Sequence, residues 1–152
     1  MRGWQNLILC IDFKKAFDSI DHTFSNSTLK ILNFGESLRR WVNLFFSHRE
    51  TYLLINGHME EKITLDQGVP QGDILSPYIF NICVEILLLK VTETNLLEGV
   101  TWAKGQNSCE AYPDDTTIII KRSEQNLRNL VKIITDFAGI SGLQVNLKKK
   151  TT

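Results

Sequence analysis

Two adjacent aspartates, Asp114 and Asp115, interrupt the stretch "CEAYPDDTTIII", which is otherwise typical of a β-strand. Two like charges about 4 Å apart repel by about 4 kcal/mol at an effective dielectric near 20, so this pair needs a neutralising partner. A third carboxylate, Asp12, ends the apolar run "NLILCIDF", which predicts a buried strand with Asp12 at its C-terminal end. Three such carboxylates would suit Mg²⁺, and a pair of these ions supports phosphoryl or nucleotidyl transfer. A solvated turn at Asp114-Asp115 and a helix cap at Asp12 remain the alternative.

The rest of the chain must supply the elements that position these residues. Helices are expected at about 24–33 and 36–47, with Gly35 as the stop between them, and a hairpin turn is expected at Asn56-Gly57. Ser76 as N-cap and Pro77 as first helical residue predict the start of a long helix.

An amphipathic helix over about 124–137 and a short basic strand follow the Asp114-Asp115 hairpin. This order predicts an α+β domain whose antiparallel sheet is covered on one face by helices.

Composition sets the limits of this interpretation. The chain has 152 residues, 43% of them hydrophobic, which is enough for one domain with a core. Basic and acidic residues number 17 each, so net charge does not indicate a polyanionic partner. Cys10, Cys83 and Cys109 lack the spacing of zinc sites and predict core thiols in a reducing compartment. With neither a leader nor a membrane span predicted, we expect an intracellular protein of the nucleus or cytoplasm.

Four ordered segments resemble the palm motifs of reverse transcriptases: "DFKKAFDSIDH", "QGVPQGDILSPYIFNICVEIL", "AYPDDTTI" and "SGLQVNLKKK". Together they resemble the polymerase of a non-LTR retrotransposon of the long interspersed element type. The resemblance implies a polymerase palm fold and RNA-directed DNA synthesis, with an RNA template, a DNA primer and deoxynucleoside triphosphates as partners. It also implies two Mg²⁺ ions, with Mn²⁺ as a possible substitute.

The resemblance also implies roles for individual residues. Asp12, Asp114, Asp115 and the Phe13 carbonyl would hold metal, and Lys149 would act near the triphosphate as a general acid or a point charge, with its register uncertain by one residue. The residues that would contact the nucleotide or nascent base pair, with Phe17 excluding a 2′-hydroxyl, are Lys15, Ala16, Phe17, Gln71 and Gly72, and Phe13 would also border the bound substrate. Asp18, Asp21 and His22 are expected to cap and order the following turn.

Two departures from the family pattern favour a weakened or dead enzyme. Pro113 stands where a small residue is usual; it removes a backbone donor and fixes φ near −65°, so it disfavours a tight turn before Asp114. We also expect residues 1–152 to be a partial domain that lacks the N-terminal part of the fingers and the thumb. Two alternatives stay open: a catalytically dead remnant that binds nucleic acid or protein at most, and a group II intron-type reverse transcriptase.

Overall fold

A computed structural model of the chain describes residues 6–47, 49–65, 67–70, 72–98, 101–102, 105–106, 108–111 and 115–146. Side chains are described for all of these except residues 60, 101–102, 105–106, 108–111 and 115. The strands are β1 (Asn6–Lys14), β2 (Glu50–Ile55), β3 (His58–Thr64), β4 (Thr101–Trp102), β5 (Gly105–Gln106), β6 (Ser108–Ala111), β7 (Asp115–Lys121) and β8 (Gln144–Asn146). The helices are α1 (Ala16–Ser19), α2 (His22–Ile31), α3 (Glu36–Phe46), α4 (Ser76–Glu93) and α5 (Glu124–Ser141).

The main sheet has four antiparallel strands in the order β6-β7-β1-β8. At the centre of the sheet, β1 pairs with β7, a strand remote from it in the sequence, from Asn6↔Lys121 to Asp12↔Asp115. The other edge of β1 pairs with β8 over Asp12 to Lys14. The helices and antiparallel sheet confirm the α+β class predicted from the order of the elements.

The two faces of this sheet differ in burial. Along β1, Ile11 and Phe13 are buried, whereas Ile8, Cys10 and Asp12 are exposed. Strand β1 is therefore buried on one face only, and the prediction of a buried strand was wrong in that respect. The prediction that Cys10 is a core thiol was also wrong, because side chains alternate between faces and Cys10 shares the face of Asp12. Cys83 is buried as predicted, and the side chain of Cys109 lies outside the described residues.

Helices cover the other face of the sheet. Helix α4 packs against β6 and α5 packs against β8, while α2 contacts both helices. Phe80 of α4 is completely buried and lies against Phe13, with ring centroids 5.8 Å apart and an edge-to-face angle of 81°. Phe24 and Phe137 join α2 to α5 in the same geometry at 5.7 Å. Such aromatic contacts add specificity to the burial of apolar surface.

The helix ends show which local signals were interpreted correctly. Asp21 caps α2 as expected, since its Oδ1 accepts a hydrogen bond from the Phe24 backbone N–H at 2.7 Å. Gly35 is not the stop of that helix but the N-cap of α3, with φ −58°; Asn33, at φ 59°, takes the left-handed conformation instead. Asparagine tolerates this conformation better than most residues because its short polar side chain can bond locally.

The start of α4 also differs from the prediction. Ser76 is the first helical residue and Leu75 is the N-cap, with no capping bond from its side chain. Asp73 Oδ1 instead accepts a hydrogen bond from the Leu75 backbone N–H at 2.7 Å, so an Asx turn precedes the helix. Pro77 does lie in the first turn, where its missing N–H leaves no intrahelical bond unmade.

Strands β2 and β3 form the predicted hairpin. Asn56 and Gly57 both have positive φ, 50° and 83°, as a two-residue turn that follows the twist of the strands requires. Among the helices of the described residues, none is long and apolar enough to cross a membrane.

Candidate functional site

The sheet brings together two of the acidic positions singled out in the sequence. Asp12 is the register partner of Asp115, so their Cα atoms are separated by the spacing of directly opposed strand residues, about 4.5–5.5 Å. The side chain of Asp12 is exposed on the face of the sheet that the helices leave open. A carboxylate there is accessible to a large ligand such as a polymer end.

Asn146 flanks Asp12 on the other side. It is the register partner of Asp12 in β8, and its Nδ2 donates a hydrogen bond to Asp12 Oδ2 at 3.3 Å. Asp115, Asp12 and Asn146 therefore follow one another across three neighbouring strands. The amide fixes one carboxylate oxygen of Asp12 and leaves the other with free acceptor capacity.

The donor chemistry of this row fits a hard divalent cation. Carboxylate and amide oxygens are the ligands that Mg²⁺ prefers, and two acidic residues directly opposite one another need a compensating charge. Within the described residues there is no group of three or more histidine, cysteine, aspartate and glutamate side chains that could hold a metal. The predicted third carboxylate, Asp114, and the side chain of Asp115 lie outside the described part of the chain.

A cleft of about 650 Å³ adjoins Asp12. Its walls come from the turn after β1 and from the segment that leads into α4. The residues that line it are Asp12, Phe13, Lys15, Ala16, Phe17, Pro70, Gly72, Asp73, Ile74, Ser76 and Pro77. All the nucleotide-contacting residues predicted in the described part of the chain are in this cleft: Lys15, Ala16, Phe17 and Gly72.

The turn after β1 gives the cleft its shape. Lys15 has a left-handed backbone, φ 51° and ψ 45°, and its carbonyl accepts the Asp18 N–H at 2.9 Å, which starts α1 at once. Ala16 is buried, whereas Phe17 is half-buried and rests on Phe80 with ring centroids 5.4 Å apart. Phe80 thus contacts both Phe13 of β1 and Phe17 of the cleft. Gly72, at φ 88°, has no neighbouring atoms within 4 Å of an added Cβ among the described residues, so backbone conformation favours glycine there.

Several predicted residues cannot be placed. Gln71, Pro113, Asp114 and Lys149 lie outside the described residues, so their roles stay predictions. Phe13 is described: its backbone pairs with Val145 and its side chain faces the core, which leaves its predicted metal-binding carbonyl untested.

The amino-acid sequence carries no indication of Asn146 as a neighbour of Asp12, because a contact between residues 134 positions apart depends on strand pairing that no local pattern encodes. It also missed Pro70, Asp73 and Ile74 as cleft residues. These three residues could have been predicted to line the cleft, because they belong to the same sequence motif as Gln71 and Gly72.

Residues 2–152 match the family described as "Reverse transcriptase (RNA-dependent DNA polymerase)". One similar protein is the "Retrovirus-related Pol polyprotein from type-1 retrotransposable element R2" of Popillia japonica, 26% identical over 95% of this chain and 20% of that protein. Another is the "Retrovirus-related Pol polyprotein from type-2 retrotransposable element R2DM" of Drosophila melanogaster, 28% identical over 91% of this chain and 13% of that protein. The "Transposon TX1 uncharacterized 149 kDa protein" of Xenopus laevis is 25% identical over 98% of this chain and 11% of that protein.

The chain thus spans about a fifth or less of the length of these relatives. The family match and the names of the relatives confirm the resemblance to the reverse transcriptase domain of a non-LTR retrotransposon.

Proposed function

Because the chain belongs to the reverse transcriptase (RNA-dependent DNA polymerase) family, we propose that it is the palm part of an enzyme that extends a DNA primer on an RNA template. The observation that carries this proposal is the pairing of Asp12 with Asp115 on the open face of the sheet, beside the cleft that holds Phe17 and Gly72. Strand pairing sets two remote acidic positions opposite one another, beside a cleft of about 650 Å³ that could hold a nucleotide.

The reaction joins the primer to the incoming nucleotide. The primer 3′-oxygen forms a bond to the α-phosphorus of a deoxynucleoside triphosphate, the bond to the bridging oxygen of pyrophosphate breaks, and the 3′-hydroxyl proton is released. Two bound Mg²⁺ ions, or Mn²⁺ in their place, would lower the pKa of the attacking hydroxyl and neutralise charge on the leaving oxygen.

The residues of the chain would hold and orient the reactants. Asp12, Asp114, Asp115 and the Phe13 carbonyl would supply the oxygen ligands, with Asn146 fixing the Asp12 carboxylate. Lys149 would either donate a proton to the leaving pyrophosphate or place its positive charge beside it.

The cleft would select the nucleotide. Lys15, Ala16 and Gly72 line it beside Asp12, and Gln71 immediately precedes Gly72 in the chain. Phe17 would exclude the 2′-hydroxyl of a ribonucleotide, because its ring is supported from behind by Phe80 and a rigid wall discriminates by shape.

The relatives are much longer than this chain, so the binding partners of the complete protein are part of the proposal. An RNA template, a DNA primer and deoxynucleoside triphosphates would be bound together with fingers and thumb segments of a parent polyprotein. The location would be the nucleus or the cytoplasm. The retrotransposon names of the relatives favour this source over a group II intron.

Primer extension on an RNA template with MgCl₂ tests the proposal. The chain is assayed as it stands and joined to the fingers and thumb segments of the Popillia japonica relative. We expect Asp12→Asn to lower extension by the joined protein about 10²-fold or more, as the loss of a transition-state electrostatic contact does. Asp136→Asn, on the exposed side of α5, is the matched control and should retain activity. Equal extension by the Asp12→Asn protein and the control would contradict the proposed site.

One feature favours a second function. Pro113 stands between Tyr112 and Asp114, where it removes a backbone donor, and a misplacement of about 1 Å at a reacting group costs about 10²-fold in rate. A catalytically dead remnant would then bind nucleic acid or protein at most. Extension only by the joined Pro113→Ala protein would show that the turn is defective in an otherwise competent site. No extension and no metal binding in any version would favour the binding module.

A further inference from the structure

The segment 67–70, which ends at the cleft residue Pro70, is held by side chains from two other parts of the chain. His22 Nε2 lies 2.8 Å from the Gly68 carbonyl oxygen, and Arg49 Nη1 donates to the same oxygen at 2.8 Å. A carbonyl oxygen only accepts, so His22 Nε2 carries the proton, and the two lone pairs of the oxygen are satisfied by the two donors. These two donors are called the carbonyl clamp below.

The clamp is itself fixed in position. The His22 ring stacks on Phe46 of α3, with centroids 4.2 Å apart and planes 11° from parallel. His22 is the first residue of α2, whose N-cap Asp21 is bonded to Phe24, and Asp21 also forms a β-bridge with Gln67. Both donors are half-buried, which strengthens their bonds relative to solvent-exposed ones.

Backbone hydrogen bonds continue the attachment toward the cleft. Gly68 N–H donates to the Ile20 carbonyl at 2.8 Å, and Val69 N–H donates to the Phe17 carbonyl at 2.6 Å. Gly68 has φ +82°, and a Cβ there would lie 2.8 Å from the Asp18 Cα and carbonyl oxygen, so the two segments touch directly. The position of Phe17 relative to Pro70 and Gly72, which all line the cleft, depends on this contact.

We propose that His22 and Arg49 are positioning residues that hold the 67–70 segment against the Phe17 turn and thereby set the affinity of the cleft for a deoxynucleoside triphosphate. This inference rests on the proposed function for its ligand. Neither side chain lines the cleft, so both act through the Gly68 carbonyl and not by touching the nucleotide.

Amide-resolved NMR of the 152-residue chain tests the clamp and the ligand in one sample. Hydrogen exchange of the Gly68 and Val69 amides reports the attachment of the segment, and a titration with dTTP and MgCl₂ reports affinity. His22→Phe keeps a ring to stack on Phe46 but removes the donor, whereas His22→Gln keeps an amide donor near the position of Nε2. Arg49→Ala removes the second donor, and Arg40→Ala, on the exposed side of α3, is its matched control.

We expect His22→Phe and Arg49→Ala each to speed exchange of both amides about 10-fold, as loss of a charge-assisted or partly buried hydrogen bond does. Each should weaken dTTP binding by about 3-fold to 10-fold, on the scale of losing part of one such bond. His22→Gln should recover most of both effects, and Arg40→Ala should show neither. The amides of β1 and β7 report whether each variant remains folded.

Unchanged exchange in both donor-deleted variants would overturn the clamp. Faster exchange with unchanged dTTP affinity would overturn the positioning role while leaving the clamp as a structural contact. Absence of dTTP binding to the unaltered chain, with the Gly68 and Val69 amides still protected, would overturn the affinity role of the clamp. The proposed function is tested separately, by primer extension with the joined protein.

Discussion

The two faces of the four-stranded sheet carry residues of different types and differ in burial. On the covered face, Ile11 and Phe13 are buried in the hydrophobic core, where Phe13 contacts Phe80 of α4. On the open face, Cys10 and Asp12 lie exposed, one position away along the same strand. A shift of one residue in strand register would exchange the two sets. The covered face therefore determines the register, and the register sets which strand positions lie opposite one another, such as Asp12 and Asp115.

Thiol reactivity provides the largest expected difference between an open and a covered position. Burial raises the pKa of the Cys83 thiol to about 11, so at pH 8 only about 10⁻³ of it is the reactive thiolate, and its complete burial in the core also shields it from reagent. Cys10 is exposed. In a Cys109→Ser background, we expect a maleimide at pH 8 to modify Cys10 at least about 10³-fold faster than Cys83.

Mass spectrometry of peptides against time measures both rates. Unfolding in urea should make the two thiols react at similar rates, which serves as the control. Comparable rates in the folded protein would mean that Cys83 is not covered.

The energetic contrast between the faces is tested by truncating two isoleucines of β1. Ile11 is 0% exposed and Ile8 is 58% exposed. Ile11→Ala should lower the free energy of unfolding by about 2–5 kcal/mol, because it leaves a cavity under the helices. Ile8→Ala should change it by less than about 0.5 kcal/mol. Urea denaturation measures both, and equal losses would show that the open face is covered in solution.

Replacing a polar residue on the covered face should change the free energy of unfolding less than Ile11→Ala does, and in the opposite direction. Thr116 is completely buried opposite Ile11, and its hydroxyl has no hydrogen-bond partner among the described residues. Replacing an unsatisfied hydroxyl by a methyl group of similar size removes a desolvation penalty. Thr116→Val is expected to stabilise the protein by about 1 kcal/mol.

Thr117→Val is the matched control on the open face, where the hydroxyl donates to Cys10 Sγ at 3.9 Å. Its effect on the midpoint of urea denaturation should be small. Destabilisation by Thr116→Val would indicate a partner for the buried hydroxyl.

The local signals in the sequence predicted most elements but not how they meet. An apolar run identified β1, and the turn residues Asn56-Gly57 identified the hairpin. Helical periodicity identified α3 and α5, and the start signal Ser76-Pro77 identified α4. Helix α5 extends to Ser141, past the expected end near Phe137, because Gly142 at φ 76° supplies the left-handed stop and Gly139 is tolerated inside the helix. The two-residue strands β4 and β5 had no recognisable pattern.

The candidate site was predictable to the extent that motifs carry it. Residues Lys15, Ala16, Phe17 and Gly72 were named from the sequence and share one cleft. The side-chain contact of Asn146 with Asp12 and the carbonyl clamp of His22 and Arg49 were not predicted, since each joins segments that are remote in the chain. Their detection needs the pairing of β8 with β1 and the path of residues 67–70.

The smallest expected effect is the change in the free energy of unfolding caused by Asp12→Asn, measured with and without magnesium. Asp12 faces Asp115 across two strands, and like charges directly opposite one another destabilise a sheet. Without divalent metal, Asp12→Asn should therefore raise the free energy of unfolding by about 0.5 kcal/mol. Magnesium at about five times its dissociation constant should stabilise the unaltered protein by about 1 kcal/mol through preferential binding to the folded state.

The variant should lose this gain, because an amide at position 12 removes one anionic ligand while its oxygen can still accept from Asn146. Urea denaturation in EDTA and in MgCl₂ measures both terms, with Asp136→Asn on α5 as the control for unspecific effects of charge. Equal stabilisation of the unaltered protein, the Asp12→Asn variant and the Asp136→Asn control by magnesium would mean that the cation does not bind at Asp12. The expected crossing, a variant more stable without metal and less stable with it, would mean that the open face retains an electrostatic cost that only a bound cation offsets.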